Sequence, residues 1–275
     1  MKRLAAFLLL CLAPASAFPD VRGGTRNVQA ELVASTDAIQ PGVPFMVALS
    51  LRISPGWRVF WKNPGETGVP VKLVFTLPDS FKTSEVMWPS PEFLRQGELA
   101  TFGYTGEATF LVRVTPPASL PNGLFSVLAQ VQWVESGIRT TPWSGSFTLA
   151  LPVGKGGGAR DPLKEKFFAD AVAKVAKADP SVRARYVVKG ASLEMTVSRA
   201  GGFGEPVEFF PVDVGFVEVR QPGKVTPSAN GVVIRFQRPS DAPRGGEFKG
   251  VLVMGTGPNR KGIEVTATAA DVKAH

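Results

Sequence analysis

Apolar and polar residues alternate over short stretches through most of the chain. VQAELVAS (28–35), FMVALSLRI (45–53), VKLVFTL (71–77), ATFLVRV (108–114), LFSVLAQVQWV (124–134) and GSFTLALPV (145–153) join period-two patterning to β-branched residues, which marks half-buried strands. Turn signals separate them: Pro41-Gly42, Pro55-Gly56, NPGETG at 63–68 and PNG at 121–123. This spacing predicts an antiparallel β-sandwich of immunoglobulin-like type.

The rhythm then changes. GKGGGAR (154–160) reads as a flexible linker and does not match a phosphate-binding glycine loop. A helix follows, with Asp161 as its cap and Pro162 at its first position. Leu163, Phe167, Ala171 and Val175 recur every four residues, with Phe168 and Val172 beside them, and Asp179-Pro180 marks the stop. That face is expected to pack on a sheet. Strand patterns return at 185–190, 192–198, 207–212, 215–220, 231–237, 250–255 and 262–269, with a hairpin tip at 257–262. The expected class is all-β: a sandwich over 18–153, a linker over 154–160, a second, smaller β-rich domain with one helix over 161–270, and a tail over 271–275.

Composition agrees with many short strands, since 29 Gly and 24 Pro break long helices. The first 17 residues look like a cleaved export signal. Lys2 and Arg3 precede a short apolar run, and Ala15-Ser16-Ala17 is a small-residue cleavage site. The single cysteine, Cys11, lies in that run, and Leu10 before it does not suit lipidation. The mature chain is therefore expected to be thiol-free, to lie in the periplasm or outside the cell, and to have no transmembrane segment. Its formal charge falls from +8 to +6 with the loss of Lys2 and Arg3. The charges are dispersed, so a solvated basic surface is the reading, with no nucleic-acid partner.

Candidate chemistry is sparse. The one histidine, His275, ends the chain, so no histidine-based triad is expected. No His/Cys cluster suggests a metal site, and Met46, Met87, Met195 and Met254 are scattered. No catalytic residue, cofactor or metal is predicted. Trp57, Trp61, Trp88 and Trp133 read as packing residues, with ring stacking on a glycan as the alternative if the rings are exposed.

Several segments resemble one family. ISPGWRVFWKNPGETGVP (53–70), WPSPEF (88–93), the FGYTGE segment ending at Glu107, FFP (209–211) and GVLVMG with IEVTA (250–267) are similar to the N-terminal periplasmic region of the DsbD and ScsB thiol:disulfide interchange proteins. VQWVESGIRTTP (131–142) resembles that family's redox strand, with Ser136 and Thr140 at the two cysteine positions. Hydroxyls cannot carry thiol–disulfide exchange, which needs a thiolate. The family's membrane-embedded and thioredoxin-like domains have no counterpart in the chain as given. The resemblance implies a cap over the redox site at Phe102, Gly103 and Tyr104, with both aromatics partly exposed around Ser136 and Thr140; ordinary edge packing of the two rings onto the sandwich is the alternative reading, and Arg139, between the two substituted positions, reads as solvated or as paired with an acidic partner. Gly103 is expected to let the backbone turn.

The resulting expectation is an exported, non-catalytic binding or accessory module. Its partner would be an envelope protein, either thioredoxin-like, a membrane thiol transporter or a cytochrome c maturation component. The alternatives are a component of a disulfide reductase pathway and a glycan-binding sandwich. Export should remove residues 1–17, so mass spectrometry of the mature protein should find Phe18 at its N-terminus. An acylated Cys11 would instead establish a lipoprotein.

Overall fold

A computed structural model of the protein describes residues 21–154, 161–204, 207–257 and 260–270. The expected export signal, most of the linker, the middle of the 257–262 tip, and the tail with His275 lie outside the described residues. In chain order the elements are β1 (Val21–Gly24), β2 (Val28–Ala34), β3 (Phe45–Ile53), β4 (Val59–Gly65), β5 (Lys72–Thr76), β6 (Lys82–Thr83), β7 (Glu92–Gln96), β8 (Leu99–Tyr104), β9 (Glu107–Thr115), β10 (Leu124–Ser136) and β11 (Thr140–Pro152). Then come α1 (Pro162–Lys174), β12 (Lys177–Ala178), β13 (Arg183–Lys189), β14 (Ser192–Ser198), β15 (Val207–Pro211), β16 (Lys224–Ser228), β17 (Gly231–Gln237), β18 (Glu247–Met254) and β19 (Lys261–Ala269).

The protein is all-β, as expected. One sheet runs β1-β2-β3-β9-β6 and faces a second, β11-β10-β5. Leu32, Leu49, Leu51, Phe110 and Val112 from the first meet Val127, Ala129, Val131, Phe147 and Leu149 from the second in one buried cluster. A third sheet, β4-β8-β7, closes one end of this sandwich with Trp61, Phe102 and Tyr104. The remaining strands form a larger sheet, β15-β18-β19-β13-β14-β17-β16, with β12 beside β19. It builds its own core from Tyr186, Met195, Ile234, Phe248 and Leu252.

The two halves share buried surface. Successive strand residues point to opposite faces, and β15 uses both. Phe209 enters the second core, whereas Phe210, with Val251 and Val253 of β18, enters the first. Phe210 is 1% exposed. Its ring meets Phe102 edge-on at 5.4 Å and Trp61 at 6.4 Å. Beside it, the buried Asn63 amide donates to the Pro211 carbonyl at 2.8 Å. At the rim Arg220 donates to Glu66 at 3.0 Å. The Ala100 N–H and this guanidinium hold the Glu66 carboxyl below its ordinary range.

The helix packs on a sheet as expected but departs from expectation in two ways. Asp161 caps it as predicted, accepting from Leu163 N and Lys164 N. Leu163, however, is 81% exposed. A spacing of four advances by about 400° at 3.6 residues per turn, so the stripe drifts about 40° per step. Leu163 thus lies about 120° from Val175. The face that packs is Phe168, Ala171 and Val175, and it rests on Ala48 and Leu111 of β3 and β9, the sandwich's outer surface. The helix also stops at Lys174 rather than at Asp179. Ser90 of the WPSP segment bonds the Lys174 carbonyl through both N and Oγ, and Pro89 bridges Val175.

Residues 215–220, expected as a strand, form bends. Phe216 and Val217 are both buried, and Phe216 stacks on Phe248 at 5.0 Å. Two adjacent inward residues do not fit the alternation of a ladder. Replacing Phe210 with Ala should cost about 3–5 kcal/mol through the cavity it opens between the halves. Urea denaturation followed by tryptophan fluorescence measures this, and a loss below about 1 kcal/mol would show that the contact does not bind the halves together.

Candidate functional site

β10 and β11 form a hairpin whose register is unbroken from Leu124↔Pro152 to Ser136↔Thr140. Gly137, Ile138 and Arg139 make its turn, closed by Gly137 N donating to Arg139 O at 3.0 Å. Ser136 and Thr140 therefore face each other at the closed end, their hydroxyl oxygens 3.2 Å apart. The Ser136 hydroxyl donates to Gln96 Oε1 at 3.2 Å. Its single proton is thus committed, and the Thr140 hydroxyl is the donor between the pair. Ser136 is buried and Thr140 exposed. Ile138 projects from the turn at 96% exposure, next to the exposed Arg139.

The neighbours that hold this end come from the 53–70 segment. The Pro55-Gly56 turn, closed by Trp57 N to Ser54 O, sets Trp57 against the hairpin turn. A Cβ on Gly137 would lie 2.8 Å from the Trp57 ring and 3.0 Å from Gly56 O, so no larger residue fits there without displacement. Arg58 exchanges backbone hydrogen bonds with Ser136 at 2.9 and 3.0 Å. Its guanidinium donates to Arg95 O at 2.6 Å, which ties in β7. Below the pair, Glu135 is buried and accepts from Thr25 Oγ1 at 2.6 Å and Asn27 Nδ2 at 2.7 Å. Both of its oxygens are satisfied by neutral donors, which anchor the hairpin to the β1–β2 turn.

The expected cap lies elsewhere. Phe102, Gly103 and Tyr104 belong to β8 and are buried, Phe102 at 3% and Tyr104 at 2% exposure. They are packing residues, the alternative reading of this segment, and not partly exposed anchors. Phe102 is covered by Phe210 and Phe93. Tyr104 packs edge-on against Phe110 and donates to Pro89 O at 2.9 Å. Burial, with Glu92 nearby, pushes the Tyr104 phenol well above its ordinary range and keeps it a donor. Gly103 does not turn the chain either: a Cβ there would sit 2.2 Å from Val59 O, so it permits close strand approach. What lies over Ser136 is Gln96, at the end of β7 before the Gly97-Glu98 turn. Sequence reasoning singled out neither Gln96 nor Arg58. Gln96 ends β7 just before the Gly97-Glu98 turn, and its local pattern carried no signal of this role.

Trp133 and Trp143 are opposite each other and stack at 3.9 Å. The Trp133 indole N–H is buried without a hydrogen-bond partner. Trp61 and Trp133 are buried, and Trp57, Trp88 and Trp143 are half-buried, so none presents a fully exposed ring. Among the described residues no three His, Cys, Asp or Glu side chains group as a metal site. As it stands, the hairpin end is a closed hydroxyl pair under an apolar and cationic tip. Its nearest carboxylate, Glu135, has both oxygens engaged by Thr25 and Asn27, and its exposed groups are Ile138, Arg139 and Thr140.

Comparison with known proteins accords with this architecture. Residues 29–133 match the family model described as the N-terminal part of the thiol:disulfide interchange protein DsbD. This part of the chain is DsbD N-terminal-like. Among solved structures, the N-terminal periplasmic domain of ScsB from Proteus mirabilis superposes with a TM-score of 0.63 at 15% identity, covering 90% of this chain and 95% of that one. That likeness extends the shared fold into the second half. BcpA, the major pilin subunit of Bacillus cereus, aligns at a TM-score of only 0.28 with 9% identity over 88% of this chain and 70% of its own, too low to carry any argument. No curated protein sequence matches. The family match ends at Trp133, three residues before Ser136.

The paired register supports a direct test. Opposed antiparallel residues have Cα atoms about 4.5–5.5 Å apart, within the span of about 4.4–6.8 Å that a disulfide needs. A Ser136→Cys/Thr140→Cys variant should oxidise readily and gain about 2 kcal/mol from the five-residue loop it closes. Its melting temperature should then fall on adding dithiothreitol. Thiols that remain free under mild oxidation would show that the two positions do not face each other.

Proposed function

We propose that the protein is an exported, non-catalytic binding or accessory module of the cell envelope. It engages a thiol-redox or cytochrome c maturation partner, a thioredoxin-like protein or a membrane thiol transporter, through the closed end of the β10–β11 hairpin. The observation that carries this reading is the Ser136–Thr140 pair. It sits on facing strands beneath an exposed Ile138-Arg139 tip, and it supplies hydroxyls where the resembling family has cysteines. A thiolate is the nucleophile of disulfide exchange, and the chain's one cysteine lies in the expected export signal. An envelope location is supported by that signal and by the periplasmic origin of the ScsB domain with the same fold. Among the described residues no helix is long and apolar enough to cross a membrane.

With Phe102 and Tyr104 buried, the contact surface is assigned instead to Ile138, Arg139 and the half-buried Trp57 and Arg58 beside them. Large apolar or guanidinium groups near the centre of an interface carry most of its affinity. A photo-crosslinking residue in place of Ile138 should capture a thioredoxin-like or membrane thiol-transport protein in the envelope. The same residue in place of the exposed Val214, in the other half, should not. Ile138→Asp should weaken binding to the captured partner about tenfold or more, with an unchanged melting temperature. Reduction of insulin by the purified mature protein, or crosslinks confined to proteins outside thiol chemistry, would overturn the proposal.

A further inference from the structure

The outer surface of the second half holds a cleft of about 730 Å³ over β19, β13 and β14, within the range of about 300–1,000 Å³ common to small-molecule sites. Tyr186, Met195, Val197, Val265 and Ala267 point into the second core. Alternation therefore sends Arg183, Arg185, Thr196, Ser198, Thr266 and Thr268 outward, where they line the cleft. The register sets Arg185 between two hydroxyl residues, Thr268 of β19 on one side and Thr196 of β14 on the other. Adjacent strands put each about 4.8 Å away. Among the described residues the Arg185 side chain has no ion pair or hydrogen bond, and the Thr196, Thr266 and Thr268 hydroxyls bond no protein group. The Arg183 guanidinium donates only to the carbonyls of Pro180 and Val182, which leave its charge uncancelled. The carboxylate on the cleft wall, Glu194, is already held by Lys189 at 3.0 Å and Arg235 at 2.7 Å. Beyond Thr268, Glu247 is paired with Lys249 at 3.1 Å. Two guanidinium charges thus line the cleft with no counter-ion.

We infer that this cleft binds a phosphate monoester carried on a small hydroxyl-bearing body of glycerol or sugar type. A guanidinium meets two oxygens of an oxyanion through parallel N–H groups. A carboxylate has only two oxygens and is spent on that fork. A phosphate monoester has three acceptor oxygens and a charge of about −1.5 to −2 at neutral pH. Its third oxygen is left for a threonine hydroxyl beside Arg185, and its charge matches the two unpaired guanidinium groups. The cleft is also larger than one phosphate. Its remainder is walled by Ser198, Thr266 and Val187. Hydroxyls both donate and accept hydrogen bonds, which suits an alcohol-rich body and gives an apolar one little to bury against. The cleft lies in the other half of the chain from the hairpin tip, so it is independent of the partner proposed there.

Titration calorimetry of the purified mature protein with glycerol 3-phosphate tests this. The expected result is saturable, single-site binding with a dissociation constant of about 1 mM or lower, and no binding of glycerol. Arg185→Gln should raise that constant about tenfold or more. Arg185→Lys, which keeps the charge but loses the fork, should raise it less. Arg113→Gln, at an exposed position of β9 in the first half, should leave binding unchanged. None of these variants should alter the melting temperature, because both side chains are in water. Vesicles of phosphatidic acid in phosphatidylcholine present the same monoester at a lipid surface. Capture of these vesicles, lost in Arg185→Gln, assigns the ester to a lipid headgroup, whereas binding of glycerol 3-phosphate alone assigns it to a soluble molecule. Binding of neither overturns the inference. Equal loss in Arg185→Gln and Arg113→Gln overturns it as well, as does equal capture of vesicles of phosphatidylglycerol, a diester, because both results mark general attraction to a basic chain.

Discussion

The insertion of Phe210 between Trp61 and Phe102 is the contact on which the rest of the structure depends. Each of these rings is buried, and each comes from a different strand. Remove the wedge and the third sheet loses its cover, because β4 and β8 pair through only a few residues with a register shift between Phe60 and Gly65. A broken ladder of that kind is held by packing more than by hydrogen bonds. The polar ties around it, Asn63 to Pro211 and Glu66 to Arg220, orient the contact. The exposed ion pair adds little energy by itself.

The 53–70 segment works at both of its ends. Its first part, with Trp57 and Arg58, shapes the hairpin tip. Its second part, with Trp61, Asn63 and Glu66, grips the other half of the chain. The hairpin tip and the junction between the halves are thus joined through one short stretch. Glu135 completes the support from below, where a buried carboxylate is tolerated because both oxygens accept hydrogen bonds.

Much of this was legible in the chain. The strands at 45–53, 192–198 and 231–237 have the bounds their alternation predicts. In each the core face is continuously buried and the opposite face is less so, covered in β3 only at Ala48 under the helix, and the period reports this directly. β7 and β8 were not read as strands: β8 is buried on both sides over Ala100–Tyr104, so it shows no alternation. The pairing of Ser136 with Thr140 follows from spacing across a turn. The burial of Phe102 does not, because what covers it, Phe210, lies more than a hundred residues away and belongs to a different sheet. Leu163 fails for a local reason, since a repeat of four departs from the helical period.

The shared core also sets what can be inherited as a piece. The recognisable segment ends at Trp133, yet the rings of Trp61 and Phe102 are sealed by a residue of β15. A gene fragment encoding the recognisable part alone would present those rings to water and to other chains, as a sticky end. Separating the halves would therefore expose apolar surface even if every residue of the hairpin were kept.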